Sequence, residues 1–388
     1  MIAVIADDFS GAAEIAGIGF RCRLKCEVVT ECIPDHRPDL LVIDTNTRSS
    51  SESEAKERIK KTALNLPEVN WIYKKTDSVF RGHVAAELET LLETLDIPSA
   101  LLIPANPSMG RRIIHGIYSV DDRLLHETTF SEDPEGSYAS SDVIELLNAS
   151  CKSDVFDYST FEKEKIPRIV IGNADQSDHL KQWTSKLQNG ILPAGGADFF
   201  SAILDSKGFQ CNQSPREDCF PITERLLILH GARNQLEHDH EKTLGSQESG
   251  VNHIEFIFNG IEELNDQKSK EWILQITKSL RENRVTFVRF YTNAPRTLTL
   301  SQTLTAFTGD LIQGIFYQKI IPHIIIEGGS TASSIIRRMD WNRWIPVQEL
   351  NPGTVTLKEK ESGITMTVKP GSYTWPESIK RLIYSTKY

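Results

Sequence analysis

Two adjacent carboxylates, Asp7 and Asp8, stand in the stretch VIADDFSGAAEIAG (Val4–Gly17), after a short apolar strand and before a small-residue turn that opens a helix. Neighbouring acids repel, and each costs solvation wherever it is not fully wet. Their placement therefore calls for a compensating partner such as a metal, a hydroxyl or a lysine. In open α/β sheets, ligands bind outside the carboxyl ends of the strands, which is where these two residues fall. Ser10, Gly11 and Ala12 lead into a helix whose first N–H groups are free to meet an anion or a carbonyl. Capping of that helix by Asp8 or Ser10 explains the same residues without chemistry, and position alone does not separate the two readings.

A second acid-bearing turn is YKKTDSVFRGH (Tyr73–His83), in which Lys74, Lys75 and Arg81 surround Asp77. A guanidinium suits a carboxylate and an ammonium suits a phosphate or hydroxyl; a solvated basic turn capped by Asp77 is the plainer alternative. PANPSMGRRIIHG (Pro104–Gly116) adds Arg111, Arg112 and His115 in a stiff loop after another apolar run. Further along, IIIEGGSTASSIIRRM (Ile324–Met339) ends a buried strand in two glycines and starts a helix at Ser330–Thr331. It matches neither a Walker A loop nor a dinucleotide fingerprint, and by itself says only anion or nucleotide. VKPGSYTWPES (Val368–Ser378) places Gly371 in a turn between a strand and the final helix.

The elements that must hold these turns alternate. Strands are expected at Ile2–Ala6, Glu27–Thr30, Leu40–Asp44, Trp71–Lys75, Ala100–Pro104, Arg168–Gly172 and Ile191–Pro193, all short, apolar and unalternating. Helical patterns lie between them, at Ser51–Leu66, Val84–Leu95, Asp178–Leu187 and Ala197–Leu204. Such a series predicts a parallel sheet with helices on both faces. The polar stretch Gln210–Pro221 marks a domain boundary, giving an α/β protein of two domains, 1–215 and 222–388. In the second, strands are expected at Arg225–Leu229, His253–Phe258, Val285–Tyr291 and His323–Glu327, with helices at Gln235–Leu244, Glu262–Leu280, Leu300–Tyr317 and Thr331–Met339. A tail of β character follows at Thr354–Lys358 and Thr365–Lys369. Tyr118–Tyr138 is a long polar stretch with weak periodicity, expected as a functional loop.

At 388 residues with 39% hydrophobic and 25% charged residues, the profile is that of an ordinary folded protein of two domains. The formal charge of −10 argues against unspecific binding to nucleic acid or an anionic membrane. With no apolar run near the roughly 20 residues of a spanning helix and no basic lead of a signal peptide, the expected location is the cytoplasm. The six cysteines are then expected as reduced thiols. Cys22 and Cys26 could share a helix face, yet no matching Cys/His pair completes a zinc site.

Taken together, the chain resembles the four-carbon acid sugar kinases. It carries that family's ADD-[LF]-[TS]-GA pattern at Ala6–Ala12, its KK-x-DS-x-x-RG pattern at Lys74–Gly82, and its P-A-x-P…GR loop at Pro104, Ala105, Pro107, Gly110 and Arg111. The C-terminal marks fall on Gly231–Asn234, Gly328–Ala332 and Lys369–Tyr373, with Ala232 where serine is usual and Ser330 where an acid is usual. The resemblance implies an N-terminal domain for the sugar acid, a C-terminal domain for ATP, and ATP with Mg²⁺ bridging its phosphates. The two domains are expected to close and exclude water. Asp8 or Asp77 is then the candidate catalytic base. Asp7, Ser10, Lys74, Lys75, Ser78, Arg81, Gly82 and Arg111 form the candidate substrate site, and Ala232, Asn234, Gly328, Gly329, Ser330, Thr331 and Gly371 the ATP site. The expected partners are a small sugar acid and ATP, with a homodimer as the expected assembly. The two departures leave open a non-catalytic sensor that keeps the fold.

Overall fold

Consecutive apolar residues suit strands covered on both faces, and Ile2–Ala6 (β1) is buried at every position. The computed structural model describes residues 1–30, 33–132, 138–162, 166–211, 225–234, 250–295, 297–320 and 322–384, without the side chains of 132, 231–234 and 382–384. The chain divides into two compact units, Met1–Asn212 and Gln213–Tyr388.

In the first unit β1 is followed by α1 (Phe9–Arg21), β2 (Cys26–Val29), β3 (Leu40–Asp44), α2 (Glu52–Leu64), β4 (Trp71–Lys75), α3 (Val84–Thr94) and β5 (Ser99–Ile103). Three short strands come next: β6 (Arg111–Ile114), β7 (Ile117–Val120) and β8 (Arg123–Leu124). The unit continues through α4 (Val143–Leu147), β9 (Ser153–Phe156), β10 (Ile169–Gly172), α5 (Ser177–Thr184), β11 (Ile191–Gly195) and α6 (Ala197–Ser206). The long strands form a parallel sheet in the order β2-β3-β1-β4-β11-β5-β10-β9. Helices α1, α5 and α6 pack together against one face, and α2 and α3 against the other. β2 and β3 lie to one side of β1 while β4 lies to the other, so the strand order reverses beside β1. At such a switch point the connections diverge and leave a crevice at the carboxyl edge.

Local chemistry explains the elements that border this crevice. Ser51 and Glu54 form a capping box at the start of α2, and Ala55, Ile59 and Ala63, four residues apart, are its buried stripe. Asp8 caps α1 by accepting the Gly11 N–H at 2.8 Å.

The structure corrects four expectations here. The Pro104–Gly116 loop contains strand β6, paired antiparallel with β7, and the expected loop at Tyr118–Tyr138 begins inside β7 with Tyr118 fully buried. Those strands are two to four residues long, too short for alternation to register in sequence. Cys22 and Cys26 share no helix face, since α1 ends at Arg21 and Cys26 lies in β2. Nor are all the cysteines reduced: Cys22 and Cys211 form a disulfide across a separation of 189 residues, which removes the compartment argument drawn from thiols.

The second unit contains β12 (Leu226–Asn234), β13 (Val251–Phe258), α7 (Asp266–Glu282), β14 (Val285–Thr292), α8 (Leu298–Tyr317), β15 (His323–Glu327) and α9 (Gly329–Arg338). After these come β16 (Arg343–Asn351), β17 (Thr354–Glu359), β18 (Thr365–Lys369) and α10 (Glu377–Tyr384). Its strand order is β13-β14-β12-β15-β18-β17-β16, parallel up to β18 and antiparallel beyond. On one face Trp272 of α7 stacks on Phe256 at 4.0 Å and meets Phe307 of α8 edge-on. On the other, Ile228, Phe287 and Ile325 form a core with Trp375 and with Ile379 of α10. β16 was not expected; Pro346 within it breaks the strand signal, and a register shift beside Pro346 accommodates the missing donor. The expected helix Gln235–Leu244 lies outside the described residues, and Gly231–Asn234, the first of the C-terminal marks, continues β12 past an irregularity. Among the described residues no helix is long and apolar enough to cross a membrane.

The disulfide joins the C-cap of α1 to the end of the first unit. Replacing Cys22 with Ser should lower the stability of that unit by about 2–4 kcal/mol, read as a lower urea midpoint without reductant. Added dithiothreitol should move wild type to the same midpoint and leave the variant unmoved.

Candidate active site

Three loops at the carboxyl edge of the first sheet bring the two acid-bearing turns together, and the group that joins them is Arg48. It lies in the loop after β3, which is stitched to the end of β1: the Thr45 and Thr47 N–H groups donate to the Ala6 and Asp7 carbonyls at 2.9 Å, and that of Arg48 donates to Asp7 at 3.2 Å. The guanidinium then donates from Nε to Asp7 Oδ2 and from Nη2 to Asp7 Oδ1, both at 3.0 Å. Nη2 also reaches Asp8 Oδ1 at 2.8 Å, and Nη1 lies 3.5 Å from Asp77 Oδ2. One planar fork thus serves three carboxylates from two strands. The compensation expected from a metal, a hydroxyl or a lysine comes first from an arginine that the motifs did not single out. The available signal was its position, the one cation in a polar loop after the third strand.

Each acid has a distinct environment. Burial raises the Asp7 carboxyl, yet Arg48, with Lys74 and Lys75, outweighs it and holds Asp7 below the ordinary carboxylate value. Asp77 is opposed by burial in the same way, but Arg81 and Arg48 hold it far below its usual range. Its Oδ1 accepts the N–H groups of Val79 and Arg81, and its Oδ2 accepts Arg81 Nη2 at 2.8 Å besides facing Arg48. Those contacts occupy its lone pairs. Asp8 accepts Gly11 N–H and Arg48 on Oδ1, while its Oδ2 takes the Ser10 hydroxyl at 2.5 Å. Capping and membership of the acid cluster are therefore both properties of Asp8.

The remaining expected residues are placed as follows. Lys75 Nζ lies 3.4 Å from Glu14 of α1, whereas Lys74, next in the strand and so on the opposite face, is fully buried 2.6 Å from Glu87 of α3. Lys74 thus acts on the cluster only through space. Arg111 donates to the Ser78 hydroxyl and lies over the Phe130 ring. Gly82 has φ +80°, and a Cβ there would stand 3.1 Å from the Arg48 Cα, so this glycine lets the Arg48 backbone approach. In the second unit, Gly328 has φ +102° between β15 and α9, with Gly329, Ser330 and Thr331 in the first turn of the helix. Gly371 lies in the turn after β18, where a Cβ would meet nothing within 4 Å. Ala232 and Asn234 lie at the end of β12, and their side chains fall outside the described residues. Among the described residues no three His, Cys, Asp or Glu side chains are grouped to hold a metal ion. The oxygens of Asp7 and Asp77 are taken by Arg48, Arg81 and backbone N–H groups, so this cluster does not form a cage for Mg²⁺.

Residues 2–202, which contain the whole acid cluster, match the model of the sugar-binding N-terminal domain. The chain belongs to this family, that of the four-carbon acid sugar kinases. Members similar along nearly the whole chain include a 3-oxo-tetronate kinase of Haemophilus influenzae, 29% identical over 96% of this chain and 97% of the relative. Another, from Actinobacillus succinogenes, is 22% identical over 96% of each. A D-threonate kinase of Salmonella typhimurium is 29% identical over 40% of this chain and 38% of its own length. Among solved structures, one from Salmonella typhimurium LT2 superposes with a TM-score of 0.75 at 17% identity, over 100% of this chain and 99% of that one. A Haemophilus influenzae protein gives 0.67 at 20% identity, over 97% and 98%. These two likenesses establish the fold.

For this family member, Arg48→Met should cost about 3–5 kcal/mol of stability at neutral pH, because removing one partner strands buried charge. The folded-state values of Asp7 and Asp77 are lowered, so their contribution is present above the unfolded carboxyl value near ~4 and fades as pH falls through the lowered values. The gap between wild type and variant should therefore be widest at neutral pH and narrow below about pH 4, measured as urea midpoints across pH. A gap independent of pH would show that the guanidinium contributes packing rather than charge.

Proposed function

We propose that this chain is an ATP-dependent kinase that phosphorylates the terminal (4-) hydroxyl of a four-carbon sugar acid such as threonate, erythronate or 3-oxotetronate. The first domain (1–215) holds the acid and the second (222–388) holds ATP. The observation that carries the reading is the cluster of Asp7, Asp8 and Asp77 with Arg48, Lys75 and Arg81 at the switch point of the first sheet. Support comes also from the kinase names of relatives that align from end to end.

Phosphoryl transfer asks a protein mainly for positioning and for neutralisation of charge on the transferred group. The hydroxyl that attacks needs an acceptor for its proton, and of the two candidates Asp8 fits better. Its Oδ2 keeps a lone pair beyond the Ser10 bond, whereas both oxygens of Asp77 are occupied and two arginines make that carboxylate a weak base. Asp77 then serves to hold Arg81 in place. Arg81 is the most exposed cation of the cluster, at 19% against 9% for Arg48 and 5% for Lys75, which suits it to meet the substrate carboxylate. Ser10 bonds Asp8 and Lys75 adds positive charge beside Asp7 and Asp77, while Arg111 fixes Ser78 in the same turn as Asp77. Mg²⁺ belongs to this scheme as the companion of the ATP phosphates. The Gly328–Thr331 turn and Gly371 are the expected nucleotide contacts.

Asp8→Asn should lower turnover by about 10²–10⁴-fold in a chain that still folds, with a thermal midpoint lowered less than in Arg48→Met because the amide oxygen still accepts the Gly11 N–H. Asp77→Asn should lose stability as well, through the freed Arg81 and Arg48. The measurement is coupled ADP release with Mg²⁺ and separated stereoisomers of the C4 acids. Near-normal turnover in Asp8→Asn would remove it as base, and ATP binding without consumption on any acid would favour a sensor.

A further inference from the structure

The second sheet also reverses its strand order: β13 and β14 lie to one side of β12, and β15 and β18 to the other. At the carboxyl edge beside that reversal stands a network of charged side chains that no sequence motif united. Glu327, the last residue of β15, faces a different partner with each carboxylate oxygen: Oε2 lies 3.0 Å from His230 Nε2 in β12, and Oε1 lies 2.8 Å from Lys369 Nζ in β18. Lys369 is fully buried. Its ammonium also donates to the Pro370 carbonyl at 2.9 Å and the Tyr373 carbonyl at 2.5 Å, with that of Gly371 at 3.4 Å. The Trp375 ring lies 5.0 Å from Nζ, and the same ring lies 5.9 Å from the His230 ring.

An ammonium has three N–H donors, and the Glu327 carboxylate with the two nearer carbonyls takes all three. A lysine beside a glycine turn invites the reading of a phosphate ligand, yet this one is spent inside the protein. Its bonds curl the Pro370–Tyr373 turn around Nζ. Its ion pair ties that turn to the residue just before Gly328, and the Gly328 N–H donates to the Lys369 carbonyl at 2.8 Å. One carboxylate thus fixes both glycine turns relative to β12.

We propose that Lys369 and His230 are positioning residues for the nucleotide, acting through Glu327 to hold the Gly328 and Gly371 turns in register, and that Lys369 touches no phosphate. The proposal rests on the reading of the second unit as the ATP-binding one. It separates two roles for Lys369 that predict opposite double-variant behaviour. Breaking a buried pair from one side strands the other charge, whereas neutralising both partners removes the penalty.

The test is calorimetric titration of the full-length chain with ATP, beside the KM for the best C4 acid. Lys369→Met should weaken ATP binding by about tenfold or more with the KM for the acid unchanged, because the acid site lies in the first unit. Lys369→Met with Glu327→Gln should recover most of that loss. His230→Gln, which keeps a donor near the position of Nε2, should stay close to wild type, and His230→Leu should weaken ATP binding. A double variant as weak as Lys369→Met overturns the proposal in favour of direct phosphate contact, and ATP affinity unmoved in Lys369→Met overturns it outright. If Lys369→Met does not fold, the double variant decides by the same criterion. A wild-type chain that binds no ATP overturns both this and the reading of the unit, while wild-type binding with unaltered variants overturns this alone.

Discussion

The first unit depends on a single ionic junction, the guanidinium of Arg48 among Asp7, Asp8 and Asp77. Three carboxylates cannot share a buried edge unless something positive stands among them, since each pays for lost hydration and repels the others. An arginine meets this need better than a lysine, because its planar fork serves several oxygens at once and its charge is not lost on burial. Much of the neighbourhood is arranged to permit it. The β3 loop is laid along the end of β1 by backbone bonds, and Gly82 clears the space that the Arg48 backbone occupies. Asp77 is held on both oxygens by its own turn, Oδ1 by the Val79 and Arg81 N–H groups and Oδ2 by the Arg81 guanidinium, so that the third carboxylate arrives already oriented.

What sequence reveals and what it hides follow from the range of the interactions. β1, β3, β4 and β15 were legible to the residue because buried parallel strands are runs of apolar side chains, and nothing in the tertiary structure competes with that pattern. The acid turns were legible because strand, acid and helix start are contiguous. Arg48 was not: it pairs with residues about forty positions away, and a lone arginine in a polar loop looks the same whether it is solvated or buried. The Cys22–Cys211 bridge is hidden for the same reason at a separation of 189. Lys74 and Lys75 illustrate a subtler limit. Adjacent lysines read as one basic patch, yet a strand sends them to opposite faces, and each meets its own glutamate.

The same argument orders the second unit. Its glycine turns could be read locally, but their mutual placement depends on side chains from β12, β15 and β18, from His230 to Lys369. Where the first sheet gathers acids around one cation, the second sets one acid between two nitrogen partners. In both, the joining side chain crosses the reversal of strand order. That position is a consequence of topology: connections leave a switch point in opposite directions, and side chains join the strand ends beside it in both units.

Such bridges are a poor way to gain stability. A buried ion pair returns little more than its desolvation cost, and well-packed apolar residues of the same volume would hold the strand ends as firmly. Their value lies in what apolar residues cannot do. A carboxylate oxygen oriented by an arginine and holding a single donor has room for a further hydrogen bond, and among the described residues Asp8 Oδ2, which takes the Ser10 hydroxyl, has that geometry while the oxygens of Asp77 each face two donors. The difference between the two acids arises from the number of donors each has been given. Asp77 faces four donor groups and Asp8 three, so of these two acids Asp77 is the more firmly fixed.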